Sequence, residues 1–243
     1  MMNGLGSAIA ENVKFLVEFI LIIAVLFAIA YFVEKAVRKK NENTEKILST
    51  RMIAVVGMFS AISTVLMLFD FPLPFAPSFY ELDFSEIPAL VGSFAFGPVA
   101  GVLIEFIKIV LKLLIKGTST AFVGELANFC VGCSYILPAS IIYTIKKTKK
   151  TGIIGCIVGT IILTIFGTGF NAVYLLPKFA ELYGMPIDVL IGMGTEINSK
   201  ITDIVTFVCF AVAPLNIIKG SLDSIITMLI YKKISPIIKS AHK

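Results

Sequence analysis

The chain has 243 residues, of which 57% are hydrophobic and only 15% are charged. A soluble domain typically carries about 25% charged residues, so this composition excludes an ordinary soluble domain and indicates a polytopic membrane protein. The net charge of +5 does not indicate a nucleic-acid partner. The basic residues cluster in short segments between apolar stretches, where they set membrane topology.

Seven apolar stretches follow one another along the chain. A transmembrane helix needs about 20 mostly apolar residues, so we predict an all-α membrane protein with one additional N-terminal helix before a bundle of six. The first stretch is too long for a signal-peptide core and lacks a cleavage-like exit, so we expect it to be retained. The stretches are about 15–33, 52–69, 89–103, 104–115, 125–145, 153–176 and 206–231. We expect the third and fourth to be joined near the Gly97-Pro98 turn signal or just after it.

The basic residues give the expected orientation. Most of the 21 lysines and arginines lie between the first two spans, in the loop 145–152 and in the tail, and the positive-inside rule puts these regions in the cytoplasm. The segments 71–88 and 177–203 then face outward, as expected for a multi-pass protein of the cell membrane. The predicted units are the additional helix 1–34, a basic linker 35–51, the six-helix domain 52–231 and a basic tail 232–243.

Lys219 lies deep inside the last apolar stretch. A cation near the bilayer centre costs about 2.5–3.5 kcal/mol on insertion scales, so it usually faces a partner, a cavity or a ligand. Asn216 is three residues earlier and shares the same helix face. An amide beside an ammonium is suited to a polar, largely uncharged molecule. The alternative is that Lys219 only pairs with Asp223, four residues later, and both interpretations stay open.

A second polar stripe follows from Glu105, Lys108, Lys112 and Lys116, whose spacings of three, four and four place them on one helix face. We expect Glu105 and Lys108 to pair, and Lys116 to reach towards the interface. The alternative is a role in binding an anionic part of a ligand.

Asn171 lies near the outward end of the sixth stretch, flanked by Phe170 and Tyr174. An asparagine flanked by aromatic rings suits a planar heterocycle, and the alternative is a hydrogen bond between helices. Glu125 and Asn128 share a helix face near the outer boundary, where capping or hydrogen bonding inside the bundle is expected.

Several apparent motifs do not indicate chemistry. Gly167-x-Gly169-x-x-Ala172 resembles a dinucleotide fingerprint but follows no soluble strand. Cys130-x-x-Cys133 has no second pair, so ordinary buried cysteines are expected. The sequence holds no P-loop and no convincing nucleophile–base pair, which indicates that the chain is not an enzyme and needs no cofactor or metal.

Three segments carry a resemblance to a known family. They read FPLPFAPSFYELDFSEIPALVGSFAFGPVAG, EFIKIVLKLLIKGTSTAFVGELANF and APLNIIKG, in this order. They resemble the riboflavin-specific substrate-binding (S) component of energy-coupling factor (ECF) vitamin transporters. The resemblance spans roughly residues 50–235, and the chain departs from it in the helix 15–33 and in the outward segment 177–203.

The resemblance implies a six-helix S-component fold that binds riboflavin near its outer face and delivers it inward. A transmembrane coupling (T) protein and two ABC ATPases would complete the transporter and hydrolyse ATP. The loop 71–88 would close over the ligand. The residues implied to contact the flavin are Asn171, Asn216 and Lys219. The candidates from the loop for the walls around the apolar edge of the flavin ring are Phe79, Tyr80, Leu82 and Phe84. Gly57 and Ala61 are implied to contact the coupling protein.

Two alternatives to riboflavin capture stay open. Lys108, Lys112 and Lys116 favour a phosphorylated flavin such as FMN on the same fold. A different class of protein, an intramembrane enzyme, would use Glu105 or Glu125 as its reactive carboxyl group.

Overall fold

The computed structural model describes residues 13–42 and 46–240. Within them the chain forms α-helices joined by short connections, together with one small antiparallel sheet. The helices are α1 (Val13–Lys40), α2 (Thr50–Leu68), α3 (Glu86–Phe96), α4 (Pro98–Lys116), α5 (Val123–Ile145), α6 (Lys149–Phe170), α7 (Leu176–Tyr183), α8 (Ile187–Ile197), α9 (Ile204–Phe207) and α10 (Ala213–Ser240), and the strands are β1 (Phe71–Pro72) and β2 (Glu81–Leu82).

The described part of the chain has five helices long and apolar enough to cross a membrane. They are α1, α2, α5, the rod that contains α6 and α7, and the rod that contains α9 and the described part of α10 up to residue 233. The predicted all-α membrane fold is confirmed, with α3 and α4 completing the six-helix bundle. Helix α1 reaches Lys40, into the predicted linker, and the division into units stays a prediction.

Helices α3 and α4 form a tight hairpin that turns at Gly97. The predicted turn near Gly97-Pro98 is confirmed, whereas the predicted bounds at residues 103 and 104 lie inside α4. Gly97 has a φ of 113°, which glycine adopts without steric cost. Pro98 then opens α4, a position where its missing N–H is harmless. With 11 residues, α3 is about 16 Å long, much shorter than the hydrocarbon core of about 30 Å.

Two long helical rods each contain one π turn. The first π turn, Asn171–Leu175, joins α6 to α7, and the second, Val208–Val212, joins α9 to α10. In the first, the N–H of Leu176 bonds the carbonyl of Asn171, five residues earlier. Single π turns inside α-helices occur frequently at functional sites. The two turns contact each other, and the sequence pattern did not predict either.

The outward loop, residues 71–88, contains a short hairpin that the sequence pattern did not predict. Phe71 pairs with Leu82 across β1 and β2. The hydroxyl of Ser63 on α2 donates to the carbonyl of Ser85 at 2.8 Å, which ties the end of the loop to the bundle. Helix α3 begins directly afterwards at Glu86, three positions earlier than the apolar pattern predicted.

The additional helix α1 packs against α4 and α5. The ring of Phe27 lies 6.0 Å from that of Phe106. Near its C-terminal end, the side chain of Glu34 is 1% exposed and lies 2.7 Å from Nη2 of Arg38. Its Oε2 accepts the N–H of Val99 at 3.0 Å. Helix α1 therefore supplies the acceptor for a backbone donor that the start of α4 leaves without an intrahelical partner.

Glu34→Ala is expected to lower the free energy of unfolding by about 2–4 kcal/mol, because it breaks a buried ion pair and leaves a buried N–H without its acceptor. Thermal unfolding in detergent measures the loss. The control is Glu196→Ala, which removes an exposed carboxylate from α8 and should change stability by less than about 0.5 kcal/mol. Equal shifts for the two variants would contradict a capping role for Glu34.

Candidate ligand-binding site

A cavity of about 540 Å³ opens at the outward end of the bundle. The outward loop, α4, α5, both π-containing rods and α8 contribute its walls. This volume falls within the range of about 300–1,000 Å³ that is typical of small-molecule sites. The outward segment 177–203 therefore forms part of the cavity wall through Phe179, Tyr183 and Leu190.

Most of the predicted ligand contacts meet in this cavity. Asn171, Asn216, Lys219, Phe79 and Tyr80 all line it. Ligand contact by each of them stays a prediction.

Leu82 and Phe84 are not among the lining residues. Leu82 is fully buried, and the ring of Phe84 packs 6.1 Å from that of Phe71. Side chains alternate between the two sides of an extended segment, so Glu81 and Asp83 face the cavity while Leu82 and Phe84 face away.

The first π turn begins at Asn171, whose amide is bonded at both ends. Its Nδ2 donates to the carbonyl of Gly167 at 2.7 Å. Its Oδ1 accepts from the hydroxyl of Tyr80 at 2.6 Å. An amide has two N–H donors and two acceptor lone pairs, so one of each remains for a ligand.

Asn216 approaches the same point from the other rod. Its side chain is buried, and its Nδ2 has no hydrogen-bond partner among the described residues. A Cβ atom at Gly167 would lie 2.7 Å from that Nδ2. Gly167 therefore positions both amides. Its carbonyl accepts a hydrogen bond from Asn171, and its lack of a side chain leaves room for the amide of Asn216.

Tyr80 reaches Asn171 from the outward loop. Its ring lies 4.8 Å from that of Phe79 and 6.0 Å from that of Phe207. Burial raises the pKa of the Tyr80 hydroxyl well above its usual range, so the group keeps its proton and can donate.

Lys219 lies at the floor of the cavity in two buried ion pairs. Its Nζ is 3.0 Å from Oδ2 of Asp83 and 2.9 Å from Oε2 of Glu86. The possibility that Lys219 pairs with Asp223 is wrong, since Asp223 is fully buried and neither of its carboxylate oxygens has a partner in the described residues. An ammonium has three donors, so one N–H of Lys219 remains beyond the two ion pairs.

Below Lys219 the ion pairs continue to Lys108, which is fully buried. The predicted pair with Glu105 is confirmed, with Nζ 2.8 Å from Oε2. The same Nζ lies 3.1 Å from Oε1 of Glu86 and donates to the hydroxyl of Ser85 at 2.8 Å. Glu86 thus bridges the two lysines and links α3, α4 and α10.

Asp83 anchors the loop to these helices. Its Oδ1 accepts the backbone N–H of Ser85 at 2.8 Å, while its Oδ2 faces Lys219. Burial alone would raise the pKa of the Asp83 carboxyl, but the ammonium groups of Lys219 and Lys108 outweigh it, so that the pKa lies well below its usual range. The outward loop is therefore held by a charged, buried side chain.

Sequence reasoning missed one wall of the cavity, the connection 117–120 between α4 and α5. Glu125 holds this connection by accepting hydrogen bonds from the hydroxyls of Thr118 at 3.0 Å and Thr120 at 3.1 Å. Asn128 donates to the carbonyl of Gly124 at 3.0 Å. These contacts confirm the predicted hydrogen bonding of Glu125 and Asn128. The sequence feature that could have predicted this wall is the run of small polar residues in the connection 117–120.

Lys112 and Lys116 also line the cavity. Lys116 was expected to reach towards the interface, whereas the structure places it at the mouth of the site. Lys108 lies deeper, inside the ion-pair network. The polar stripe of α4 is thus divided between a buried network and the cavity.

The surface predicted to contact a partner lies on α2. Gly57 and Ala61 are exposed, and a Cβ atom at Gly57 would meet nothing within 4 Å. Contact with a coupling protein at this surface stays a prediction.

An α-helical membrane bundle with a cavity of mixed polar and apolar lining under its outward loop is suited to binding a small molecule. A family model described as ECF transporter, substrate-specific component, matches residues 51–231. The chain therefore belongs to the substrate-specific components of ECF transporters. It is a multi-pass plasma-membrane transport component rather than an enzyme, and α1 lies outside the matched region.

Individual relatives agree with this family. The riboflavin transporter RibU of Staphylococcus aureus is 37% identical over 202 residues, covering 83% of this chain and 97% of the relative. The riboflavin transporter FmnP of Bacillus subtilis is 32% identical, covering 80% and 99%. A solved structure described as "Structure and mechanism of the S component of a bacterial ECF transporter" has a TM-score of 0.62 at 35% identity, covering 77% of this chain and 97% of that one.

Proposed function

We propose that this chain is the riboflavin-capture subunit of an ECF-type transporter. It binds the flavin at the outer face of the membrane and delivers it inward, while partner ATPases hydrolyse ATP. The convergence of the Asn171 and Asn216 amides on Gly167 is the observation that carries this proposal. The names of the relatives, riboflavin transporters, support the same ligand.

The chemistry of the cavity suits a flavin. The isoalloxazine ring is planar, and its pyrimidine edge offers two carbonyl acceptors beside one N–H donor. The unused groups of Asn171 and the free Nδ2 of Asn216 complement that edge. Aromatic and aliphatic side chains suit the apolar remainder of the ring, and Phe179, Val212 and Leu215 line the same cavity.

The ribityl chain carries hydroxyl groups that both donate and accept. Lys219 has one N–H left for a ribityl or carbonyl oxygen, and Asp83 offers carboxylate lone pairs to a hydroxyl. Both side chains line the cavity. We therefore place the sugar-alcohol chain nearer the ion pairs and the ring nearer the asparagines.

Titration of the purified protein with riboflavin tests the proposal. After removal of endogenous flavin, the quenching of flavin fluorescence should saturate with protein concentration. Asn216→Ala should weaken binding, whereas Asn198→Ala, beyond α8 and outside the cavity lining, should not. The absence of saturable riboflavin binding by the unmodified protein would overturn the assignment.

FMN is a second candidate ligand, because Lys112 and Lys116 line the cavity. Two ammonium groups at a cavity mouth suit a phosphate monoester. Competition decides between the two ligands. If FMN displaces bound riboflavin at equal or lower concentration, the phosphorylated flavin is the preferred ligand; if it requires a large excess, riboflavin is.

The transporter also requires a T protein and two ABC ATPases, and we propose that the T protein docks on α2 at Gly57 and Ala61. Small residues let a second helix approach closely. Large apolar side chains around this surface are exposed, among them Ile53, Met58 and Val65.

Gly57→Trp is expected to leave riboflavin binding unchanged and to abolish uptake by the assembled transporter. The indole would keep the helix of the T protein from packing closely against α2. Uptake of labelled riboflavin in cells that contain the partner proteins measures the effect. Ile165→Trp, at an exposed position of α6, is the matched control and should keep uptake. Normal uptake with Gly57→Trp would place the docking surface elsewhere.

A further inference from the structure

The orientation of the Asn171 amide follows from its two neighbours. The carbonyl of Gly167 can only accept, so Nδ2 must face it, at 2.7 Å. Oδ1 then faces the hydroxyl of Tyr80, which must donate, at 2.6 Å. Without Tyr80 the amide would be held at one end only.

We propose that Tyr80 is a positioning residue that sets ligand specificity: its hydroxyl fixes the Asn171 amide so that one N–H and one oxygen lone pair face an imide edge of the ligand. An imide edge is an N–H group between two carbonyls. This inference rests on the proposed function, since the pyrimidine edge of riboflavin is such an imide.

The position of Tyr80 in the chain gives this bond a second effect. Tyr80 belongs to the outward loop, whereas Asn171 belongs to the α6 rod, and the ring contacts with Phe79 and Phe207 set the direction of the hydroxyl. The amide is therefore fully oriented only when the loop is closed. Recognition of the imide edge therefore depends on closure of the loop.

Removal of the Tyr80 hydroxyl should let the Asn171 amide rotate without creating a large cavity, because the aromatic ring remains. With Tyr80→Phe, the dissociation constant for riboflavin should rise about tenfold, which is the effect of one hydrogen bond. A general loss of packing would weaken all ligands alike, so the informative quantity is the affinity for riboflavin relative to an analogue methylated at the imide nitrogen.

The experiment compares riboflavin with N3-methylriboflavin. The unmodified protein should prefer riboflavin by roughly 10–100-fold, because the methyl group leaves a buried acceptor unpaired, and Tyr80→Phe should reduce that preference to below about threefold. Tyr31→Phe is the control, since Tyr31 is exposed on α1 and does not line the cavity. In an Asn171→Ala background, Tyr80→Phe should have no further effect.

The possible outcomes separate the two claims. If the unmodified protein does not bind riboflavin, the proposed function fails. If it binds but Tyr80→Phe keeps the full preference, or changes it as much in the Asn171→Ala background, the role of Tyr80 is refuted. Hydrogen exchange of the ligand-free protein is an independent test: backbone amides across residues 73–80 should exchange faster in both Tyr80→Phe and Asn171→Ala, and unchanged exchange in both would overturn the inference.

Discussion

Lys219→Met is expected to abolish riboflavin binding and to destabilise the protein by about 3–5 kcal/mol, the usual cost of breaking a buried ion pair. The substitution would leave the Asp83 and Glu86 carboxylates buried, at 6% and 4% exposure, without one of their ammonium partners. Asp83 would also lose its tie to α10, so the loop would no longer be held over the cavity. Riboflavin titration and thermal unfolding measure the two effects.

The control for this prediction is Lys178→Met. Lys178 pairs with Glu181 at 2.8 Å on α7, but both side chains are substantially exposed, at 36% and 70%, and such pairs contribute about 0–1 kcal/mol. Adding Asp83→Asn to Lys219→Met should recover part of the stability, because it removes one uncompensated carboxylate. A loss no larger than that of Lys178→Met would show that the buried pairs do not hold the loop.

Gly167→Ala is expected to weaken riboflavin binding by about 100-fold while the fold is retained. Its Cβ would lie 2.7 Å from Nδ2 of Asn216. The Asn216 amide must therefore rotate away, and one of the two converging amides is lost together with its bonds to the ligand. Two hydrogen bonds of ordinary strength are worth about 1–3 kcal/mol together, and steric intrusion by the new methyl group adds to that loss.

Gly169→Ala is the matched control. It lies two residues further along the same helix, and a Cβ atom there would meet nothing within 4 Å. Both variants exchange glycine for alanine inside a helix, so they share the same gain in helix propensity. Equal riboflavin affinity for the two variants would show that the approach of Asn216 to Gly167 is unimportant for binding.

The helical membrane fold could be predicted from the sequence because a transmembrane helix is indicated by the mean hydropathy of about 20 consecutive residues. A charge inside an apolar stretch is costly enough to mark function, which identified Lys219 and Asn216 as candidates. The partners of Lys219 were not predictable in the same way, since Asp83 lies 136 residues away in the chain. Local spacing suggested Asp223 instead, and tertiary packing favoured the distant carboxylate.

Finer features depended on local backbone geometry that periodicity does not contain. The direction of Leu82 and Phe84 follows from the alternation of β2, a strand of two residues that no pattern predicted. Gly167 matters because it lacks a side chain, so that Asn216 can approach it closely. The sequence pattern indicated Gly167 only as part of an apparent dinucleotide motif. The turn at Gly97 was visible as a glycine–proline pair, but the apolar run continued past it.

The two π turns have a consequence for how sites of this kind diverge. A π turn contains one residue more than the α turn it replaces, so it behaves as a one-residue insertion that the helix tolerates. Each extra residue rotates the following helix by about 100° relative to an uninterrupted one. In the second rod this rotation separates Phe207 from Asn216. Gain or loss of a single codon within a π turn would present a different side chain to the cavity, so ligand preference can change without a single substitution in the site.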